Sequence, residues 1–340
     1  MQKSTYFNTM IKIAINGFGR IGRTFFRIAF NNPKYKIVAI NDLSDVSLLG
    51  HLLKYDSIHG RFPFSVSCDS DNLIVENEKI PVLNFSQNKN IPWSNFSVDL
   101  VIDSSGKYLT KKLALNHINS GAKKVIMTAP PKEKSIKTIV LGVNNNIIKG
   151  SDSIISNASC TTNCAAPMIK ILNDSFEIEK AYVTTIHSYT TDQNLHDSNH
   201  HDFRRARSAP NSIIPTTTGA AKALSNIFPK IKIGGCGIRV PVSNGSLTDI
   251  TCIVKNKATV LEVNKVFKEA SLGDFLDILS YSEDPIVSVD VLSSPFSCVF
   301  DSGLTFCLDN MIKIVGWYDN EYGYSKRLID LSDILFKNKS

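Results

Sequence analysis

The chain has 340 residues, 43% of them apolar and 20% charged, a balance that buries a large core and is too apolar for disorder. Its 38 basic and 31 acidic residues leave a net charge of +7, which suits anionic ligands such as phosphate esters and falls short of marking a nucleic-acid binder. No apolar run approaches the roughly 18 to 20 residues that span a bilayer, and seven scattered cysteines argue against a disulfide-stapled secreted scaffold, so a cytoplasmic protein is expected.

Residues 1–10 are polar apart from Tyr6 and Phe7 and contain neither an apolar core nor arginine; they read as a tail, not a secretory signal or transit peptide. Then Ile11–Ile15 predicts a buried strand, Arg20–Phe30 a helix and Lys36–Ile40 a second strand. Ser44–Leu53 predicts a helix with Ser44 as N-cap and an acidic residue in its first turn. Apolar runs at Val98–Ile102, Lys124–Met127, Thr138–Leu141 and Ile154–Ile155 continue the alternation. Strands spaced by helices predict a parallel, doubly wound sheet over about the first 155 residues.

Beyond Ser156–Cys164 the texture changes. Val183–Ile186, Gly237–Val240, Leu247–Val254, Ile286–Val291, Ser297–Phe300 and Ile312–Trp317 read as strands with few helices between them, the mark of a mostly antiparallel sheet. Helices at Gly219–Ile227 and Thr259–Ala270 are expected to cover one face of it. The amphipathic stretch Tyr322–Phe336 predicts a closing helix that packs back on the first domain. The division expected is a tail (1–10), a first domain (11–158, joined by the helix in 321–340) and a second domain (159–320).

Gly17-Phe18-Gly19-Arg20-Ile21-Gly22 directly follows the first strand and opens a helix. Gly17 allows a tight turn, Gly19 lets backbone N–H groups approach a pyrophosphate, and Gly22 lets helix and strand pack closely. The anion then lies on the helix N-terminus. Asp42 ends the second strand, where a carboxylate holds the ribose 2′-hydroxyl of NAD and repels the extra phosphate of NADP. The fold class expected is therefore α/β, a doubly wound parallel-sheet Rossmann domain plus an α+β domain with a mostly antiparallel sheet.

Ser156-Asn157-Ala158-Ser159-Cys160-Thr161-Thr162-Asn163-Cys164 follows a strand and begins a helix. A cysteine in a helix's first turn feels the positive end of the dipole, which favours its thiolate. Ser159 and Thr161 offer hydroxyls, and local N–H groups a place for an oxyanion. A buried, inert cysteine fits the local pattern equally well. Cys164, one turn on, is read as packing beneath the helix. His187 ends the strand Ala181–Ile186, where it could pair with the thiol and shuttle a proton. His51 is expected on a packed helix, and His59 and His117 at the surface or in local hydrogen bonds. His196, His200 and His201 with Asp202 match no standard zinc spacing, so no metal is expected.

Arg204, Arg205 and Arg207 form a basic cluster, Arg239 ends a strand, and Thr216-Thr217-Thr218-Gly219 precedes a helix. Arginine forks and a helix N-terminus suit phosphate. Threonine N-capping with solvated arginines reads the same segments without a ligand.

Taken in order, Gly17-Phe18-Gly19-Arg20-Ile21-Gly22-Arg23, Ser156–Cys164, His187-Ser188-Tyr189-Thr190, Thr216–Lys222 and Trp317-Tyr318-Asp319-Asn320-Glu321 strongly resemble the phosphorylating glyceraldehyde-3-phosphate dehydrogenase family, over essentially the whole chain beyond Met10. The resemblance implies that Cys160 attacks the aldehyde of glyceraldehyde 3-phosphate with His187 as base. Hydride then passes to NAD, and inorganic phosphate cleaves the thioester to 1,3-bisphosphoglycerate. It implies further that Thr190 and Arg239 hold one phosphate, and that Ser159, Thr161, Arg205, Thr218 and Gly219 hold the other. Arg20, Ile21, Asp42 and Thr128 line the dinucleotide, with Asn320 orienting the nicotinamide carboxamide. A homotetramer is implied, its loop from Tyr189 to Ser212 reaching a neighbour's cofactor, with no nucleic acid or membrane required.

Two departures stand out. Ser198-Asn199 replaces the Leu-Pro usual in NAD-using relatives, so NAD preference with some tolerance of NADP is expected. Ser105-Gly106-Lys107-Tyr108 departs from the usual Thr-Gly-aromatic run, with Ser105 keeping the hydroxyl. The competing readings are erythrose-4-phosphate dehydrogenase, a sister family that lacks the His-Ser-Tyr-Thr and Thr-Thr-Thr-Gly-Ala-Ala runs, and a catalytically silent binding protein on the same scaffold.

Overall fold

The computed structural model describes residues 10–337; the tail expected over residues 1–9 lies outside the described residues. The chain divides into two compact units. One comprises residues up to 139, 147–157 and 325 onward, and the other residues 140–146 and 158–324.

The first unit is built on β1 (Ile11–Asn16), β2 (Tyr35–Asn41), β3 (Val66–Cys68), β4 (Asn72–Val75), β5 (Glu78–Leu83), β6 (Leu100–Asp103), β7 (Lys124–Met127), β8 (Lys137–Thr138) and β9 (Ile154–Ser156), in the order β3-β4-β5-β2-β1-β6-β7-β9-β8. The pairs from β5 to β8 are parallel, while β3, β4 and β5 form an antiparallel meander at one edge. β1 is buried everywhere except Lys12, as a strand covered on both faces must be. Helices α1 (Arg20–Ala29), α2 (Val46–Lys54) and α3 (Lys111–Asn119) connect the strands. The strand order reverses at β1, between β2 and β6, and the register aligns Asn16 with both Asn41 and Asp103. The turns after these three strands therefore meet at one end of the sheet, where open α/β sheets bind ligands.

The second unit follows α4 (Cys160–Phe176) with β10 (Ile178–Ser188), β11 (Ile214–Thr216), α5 (Ala220–Ile227), β12 (Lys232–Val240), β13 (Ser246–Val254), α6 (Val260–Leu272), β14 (Leu279–Ser282), β15 (Cys298–Asp301), β16 (Phe306–Leu308) and β17 (Met311–Tyr318). The sheet order is β11-β12-β10-β13-β17-β15-β14, with β16 added to β17. All pairs are antiparallel except β10 with β12 and β14 with β15. Its core sets Met168, Ile169 and Leu172 of α4 among Val183, Ile250 and Ile314 of the sheet. The Phe267 and Phe300 rings stack 3.9 Å apart, and a Thr259/Glu262 capping box starts α6. The closing helix α7 (Tyr322–Phe336) belongs to the first unit from Ser325 onward. There the Tyr35 hydroxyl bonds both the Ile329 carbonyl (3.1 Å) and Asp333.

Several elements differ from their sequence reading. Ser44 is not a cap: α2 starts at Val46, and the Ser44 N–H instead donates to Asp42 at 3.0 Å. The strand expected over Thr138–Leu141 stops at Thr138, because the Asn144 side chain takes the Val140 N–H (2.8 Å) and turns the chain. Ile286–Val291 holds a 3₁₀ turn, Ser288–Val291, and no strand. β10 and β12 run several residues further than expected.

Candidate active site

In the first unit the glycine turn is sterically fixed. Gly17 has φ +91°, and a Cβ there would lie 2.7 Å from the Ser105 backbone nitrogen. A Cβ on Gly22 would lie 2.2 Å from the Gly17 carbonyl oxygen. Gly19, the residue before α1, has φ −72° and nothing within 4 Å of where a Cβ would stand. Two glycines thus serve packing, and the third leaves open space at the helix end. There the first-turn N–H groups at Arg20 and Ile21 lie beyond the reach of the helix's own carbonyls. The Arg20 guanidinium grips Asp56 with two bonds, of 2.6 and 3.1 Å, so what Arg20 offers at this end is its main chain. Burial raises the Asp56 carboxyl, but Arg20 and the N–H groups of His59 and Ile58 bring it down to about 2.

Half-buried Asp42 accepts the Phe18 N–H at 2.7 Å through Oδ2 and the Ser44 N–H at 3.0 Å through Oδ1. The carboxylate therefore braces the glycine turn, with lone pairs to spare for a ribose hydroxyl. Thr128 sits just past β7, its N–H on the Asp103 carbonyl at 3.0 Å. Ser105 keeps a hydroxyl, donated to Asp103 at 2.7 Å. Lys107 is exposed, and nothing in the structure explains it. His117, expected at the surface or in local bonds, is wholly buried, with Nδ1 accepting the Trp93 indole N–H at 2.9 Å. A close-approach turn, a helix end and a braced carboxylate are what a dinucleotide requires, and these residues fit one.

In the second unit Cys160 is the first residue of α4. Ala158, two residues earlier, adopts φ +57°, a conformation that costs a non-glycine residue about 1 kcal/mol and that re-aims the chain into the helix. Ser159 caps α4, its Oγ accepting the Thr162 N–H at 3.2 Å. Thr161 is 4% exposed, its hydroxyl 3.0 Å from the Tyr318 phenol, and both its hydroxyl and its N–H favour the thiolate of Cys160. Cys164 is fully buried, its Sγ 3.6 Å from the Gly316 carbonyl.

His187 lies near the end of β10 with Nε2 3.4 Å from the Cys160 sulfur. The parallel pairing of β10 with β12 sets Arg239 beside it in register. Arg239 Nη1 is 2.6 Å from His187 Nδ1 and 2.8 Å from the Ser188 carbonyl oxygen. Burial lowers the imidazole to about 3, and the Arg239 charge pushes the same way. Burial also raises the thiol above its ordinary value, against the pull of Arg239 and of N–H groups at the helix start. Burial thus works against the helix dipole, Arg239 and the helix-start donors at this sulfur.

Of the anion residues, Arg205 donates to Thr216 Oγ1 (3.0 Å), the Thr217 carbonyl (3.3 Å) and the Asp192 carboxylate. Arg204 and Arg207 are exposed, Arg207 on Asp197 at 2.7 Å. Thr218 Oγ1 accepts the Ala220 N–H (3.2 Å) and Gly219 precedes α5, so these two shape a helix start. The Thr190 N–H donates to Gln193 at 3.3 Å. Asn320 Oδ1 accepts the hydroxyls of Ser188 (3.0 Å) and Ser246 (2.9 Å), which fixes which way its amide NH₂ points. Among the described residues no three His, Cys, Asp or Glu side chains gather as a metal site.

The family models for glyceraldehyde 3-phosphate dehydrogenase match both units, the NAD binding domain over residues 11–111 and the C-terminal domain over 159–320. The chain belongs to the glyceraldehyde-3-phosphate dehydrogenase family. It is 47% identical to the glyceraldehyde-3-phosphate dehydrogenase of Mycobacterium avium over 337 residues, 96% of this chain and 99% of the relative. To glyceraldehyde-3-phosphate dehydrogenase 1 of Bacillus subtilis (strain 168) it is 46% identical over 331 residues, 96% and 98% of the two chains. The cradle at Gly17–Gly22 lies inside the span matched as NAD-binding, and NAD is the cofactor of this glyceraldehyde-3-phosphate dehydrogenase fold.

Sequence reasoning missed several partners in this glyceraldehyde-3-phosphate dehydrogenase site. Tyr318 bonds both Thr161 and Thr185 at 3.0 Å beside Cys160 and His187. It stood within a motif already singled out, beside Asn320. Asp192 and Asp202 hold Arg205 and Thr216; a cluster of arginines needs counter-charges, and the nearby carboxylates were the signal.

Proposed function

We propose that this chain oxidises glyceraldehyde 3-phosphate with NAD and inorganic phosphate to 1,3-bisphosphoglycerate. One observation carries the reading: a cysteine at a helix start has its sulfur 3.4 Å from a buried imidazole nitrogen, within a chain of this family. His187 takes the thiol proton as the sulfur bonds to the aldehyde carbon, and returns it to the carbonyl oxygen to give a hemithioacetal on Cys160. First-turn N–H groups of α4 stabilise the oxygen while it is charged. Bound NAD supplies the hydride acceptor. His187 then removes the hydroxyl proton as hydride departs, leaving a thioester on Cys160. A phosphate oxygen attacks that carbonyl carbon, the C–S bond breaks, and the acyl phosphate leaves with the sulfur restored.

The division of labour assigns residues 11–158 and the closing helix to the dinucleotide and 159–320 to the chemistry. Gly17, Gly19, Arg20, Ile21, Gly22, Asp42 and Thr128 receive the dinucleotide. Asn320, its amide held by two hydroxyls, orients the carboxamide. Thr190 and Arg239 take one phosphate; Ser159, Thr161, Arg205, Thr218 and Gly219 the other. We place the enzyme in the cytoplasm as a homotetramer. No helix among the described residues is long and apolar enough to cross a membrane.

The test is a steady-state assay with glyceraldehyde 3-phosphate, phosphate and each dinucleotide in turn, with erythrose 4-phosphate as the control sugar. Turnover with glyceraldehyde 3-phosphate that needs phosphate and vanishes in Cys160→Ser is expected; preference for the control sugar contradicts the reading. NAD gives the higher kcat/KM, because Asp42 is braced in place and faces any 2′-phosphate with a like charge. The exposed Ser198-Asn199 leaves measurable NADP turnover.

A further inference from the structure

Ser188 ends β10, Ser246 opens β13, and Asn320 lies two residues past Tyr318, the last residue of β17. β13 runs between β10 and β17, and its register sets Ser246 opposite Tyr318. The three side chains therefore meet at one end of the second unit's sheet. Ser246 Oγ accepts the Ser188 N–H at 3.1 Å, so its single hydrogen is free for Asn320 Oδ1 at 2.9 Å. The Ser188 hydroxyl donates to the same oxygen at 3.0 Å. An amide has nearly the same shape either way round. Turned over here, it would set its NH₂ against both hydroxyls. Two hydroxyl hydrogens would then lack an acceptor, on residues 0% and 1% exposed.

The main chain on either side of Asn320 is held separately. Asp319 Oδ1 accepts the Glu321 and Tyr322 N–H groups, each at 2.8 Å, and Oδ2 accepts the Ser293 N–H at 2.7 Å. What the serines add is the direction of one amide. Among the described residues no acceptor meets the Asn320 NH₂. We propose that Ser188 and Ser246 are positioning residues that act through Asn320, locking its amide with the NH₂ outward so that the cofactor's pyridine substituent is received through its carbonyl oxygen. The lock rests on the reading above, in which Asn320 orients the nicotinamide carboxamide, and it selects which way round that carboxamide binds. Neither serine touches the cofactor.

Calorimetry on the full chain compares NAD with 3-acetylpyridine adenine dinucleotide, which keeps the carbonyl oxygen and carries a methyl where NAD has its NH₂. A carboxamide can make half a turn and meet either face of an amide; an acetyl group can only accept. The readout is the ratio of the two dissociation constants, acetylpyridine over NAD, against its value in the unaltered chain. A disturbance that merely loosens the structure weakens both and leaves the ratio in place. Asn320→Asp sets an acceptor where the NH₂ stood and is expected to raise the ratio about tenfold, the scale of one hydrogen bond. Ser188→Ala with Ser246→Ala lets the amide take both orientations and is expected to raise it about threefold, the loss of a pre-set donor. Ser188→Ala alone leaves every main-chain bond in place and is expected to give about twofold, which decides where the double variant fails to fold. In an Asn320→Ala chain the same serine substitutions are expected to leave the ratio unmoved, since residues that act through a third lose their effect with it. A ratio that stays put in the serine variants, or that they still move once Asn320 is alanine, overturns the lock and leaves the assignment of Asn320 standing. Unchanged binding of both dinucleotides in Asn320→Ala removes Asn320 from the carboxamide, and the lock falls with that reading.

Discussion

His187 carries a thermodynamic signature that spans acid pH. Burial and Arg239 hold it near 3, while an imidazole in the unfolded chain titrates near 6.5. Between these values the unfolded state binds the extra proton, so stability rises with pH through that window and is lost as pH falls from about 6.5 toward 3. Denaturant melts at a series of pH values are expected to show that slope, and His187→Gln to flatten it. The same variant is expected to lower kcat by about 10² to 10⁴, the range for a lost general base. A slope that survives the substitution assigns the acid sensitivity elsewhere. Cys160 was legible in the sequence through its place at a helix start and its small polar neighbours. The opposing pulls of burial and of Arg239 on its thiol were not, because the dipole is a local property while burial beside Arg239 is set by strands far apart in the chain.

At the scale of elements, the glycine turn separates two roles that the sequence motif runs together. Gly22→Ala places a methyl against the Gly17 carbonyl, an overpacking that costs about 1 to 3 kcal/mol and misplaces α1. Gly19→Ala meets nothing within 4 Å and is expected to leave stability within about 0.5 kcal/mol. Both weaken NAD binding by calorimetry, but only Gly22→Ala lowers the denaturation midpoint; equal midpoints contradict this assignment. The sequence showed the strands best where they were buried on both faces, as in β1, β6 and β7, because unbroken apolar runs admit few other readings. It misread Ile286–Val291, whose alternating valines resemble a half-buried strand. Val287 and Val289 are 54% and 62% exposed, and Asp290 takes the Val287 N–H at 2.7 Å, closing a turn. The short edge strands β3 and β4 and the helix α3 carry too few periodic positions to stand out.

For the whole molecule, the net charge of +7 is expected to aid capture of a phosphorylated aldehyde at low salt. Phe203, Leu195 and Ile213, at 89%, 65% and 69% exposure, leave a large apolar surface on and beside the loop after β10. In the homotetramer we propose, that surface is covered, and sedimentation is expected to give a mass near four chains; a monomer at micromolar concentration contradicts it. The sequence changes texture near Ser156, and the folded chain divides into two compact units. The partners of Asn320 were not legible, since Ser188 and Ser246 reach it only through the folded sheet.

The central claim is a covalent bond between Cys160 and the substrate's carbonyl carbon. It is tested most directly by mixing the chain with glyceraldehyde 3-phosphate and NAD in the absence of phosphate and following NADH release and intact mass together. The account predicts a burst of about one NADH per chain with an acyl group on Cys160, discharged when phosphate is added. Steady NADH production without a burst, or an acyl group on any other residue, contradicts it.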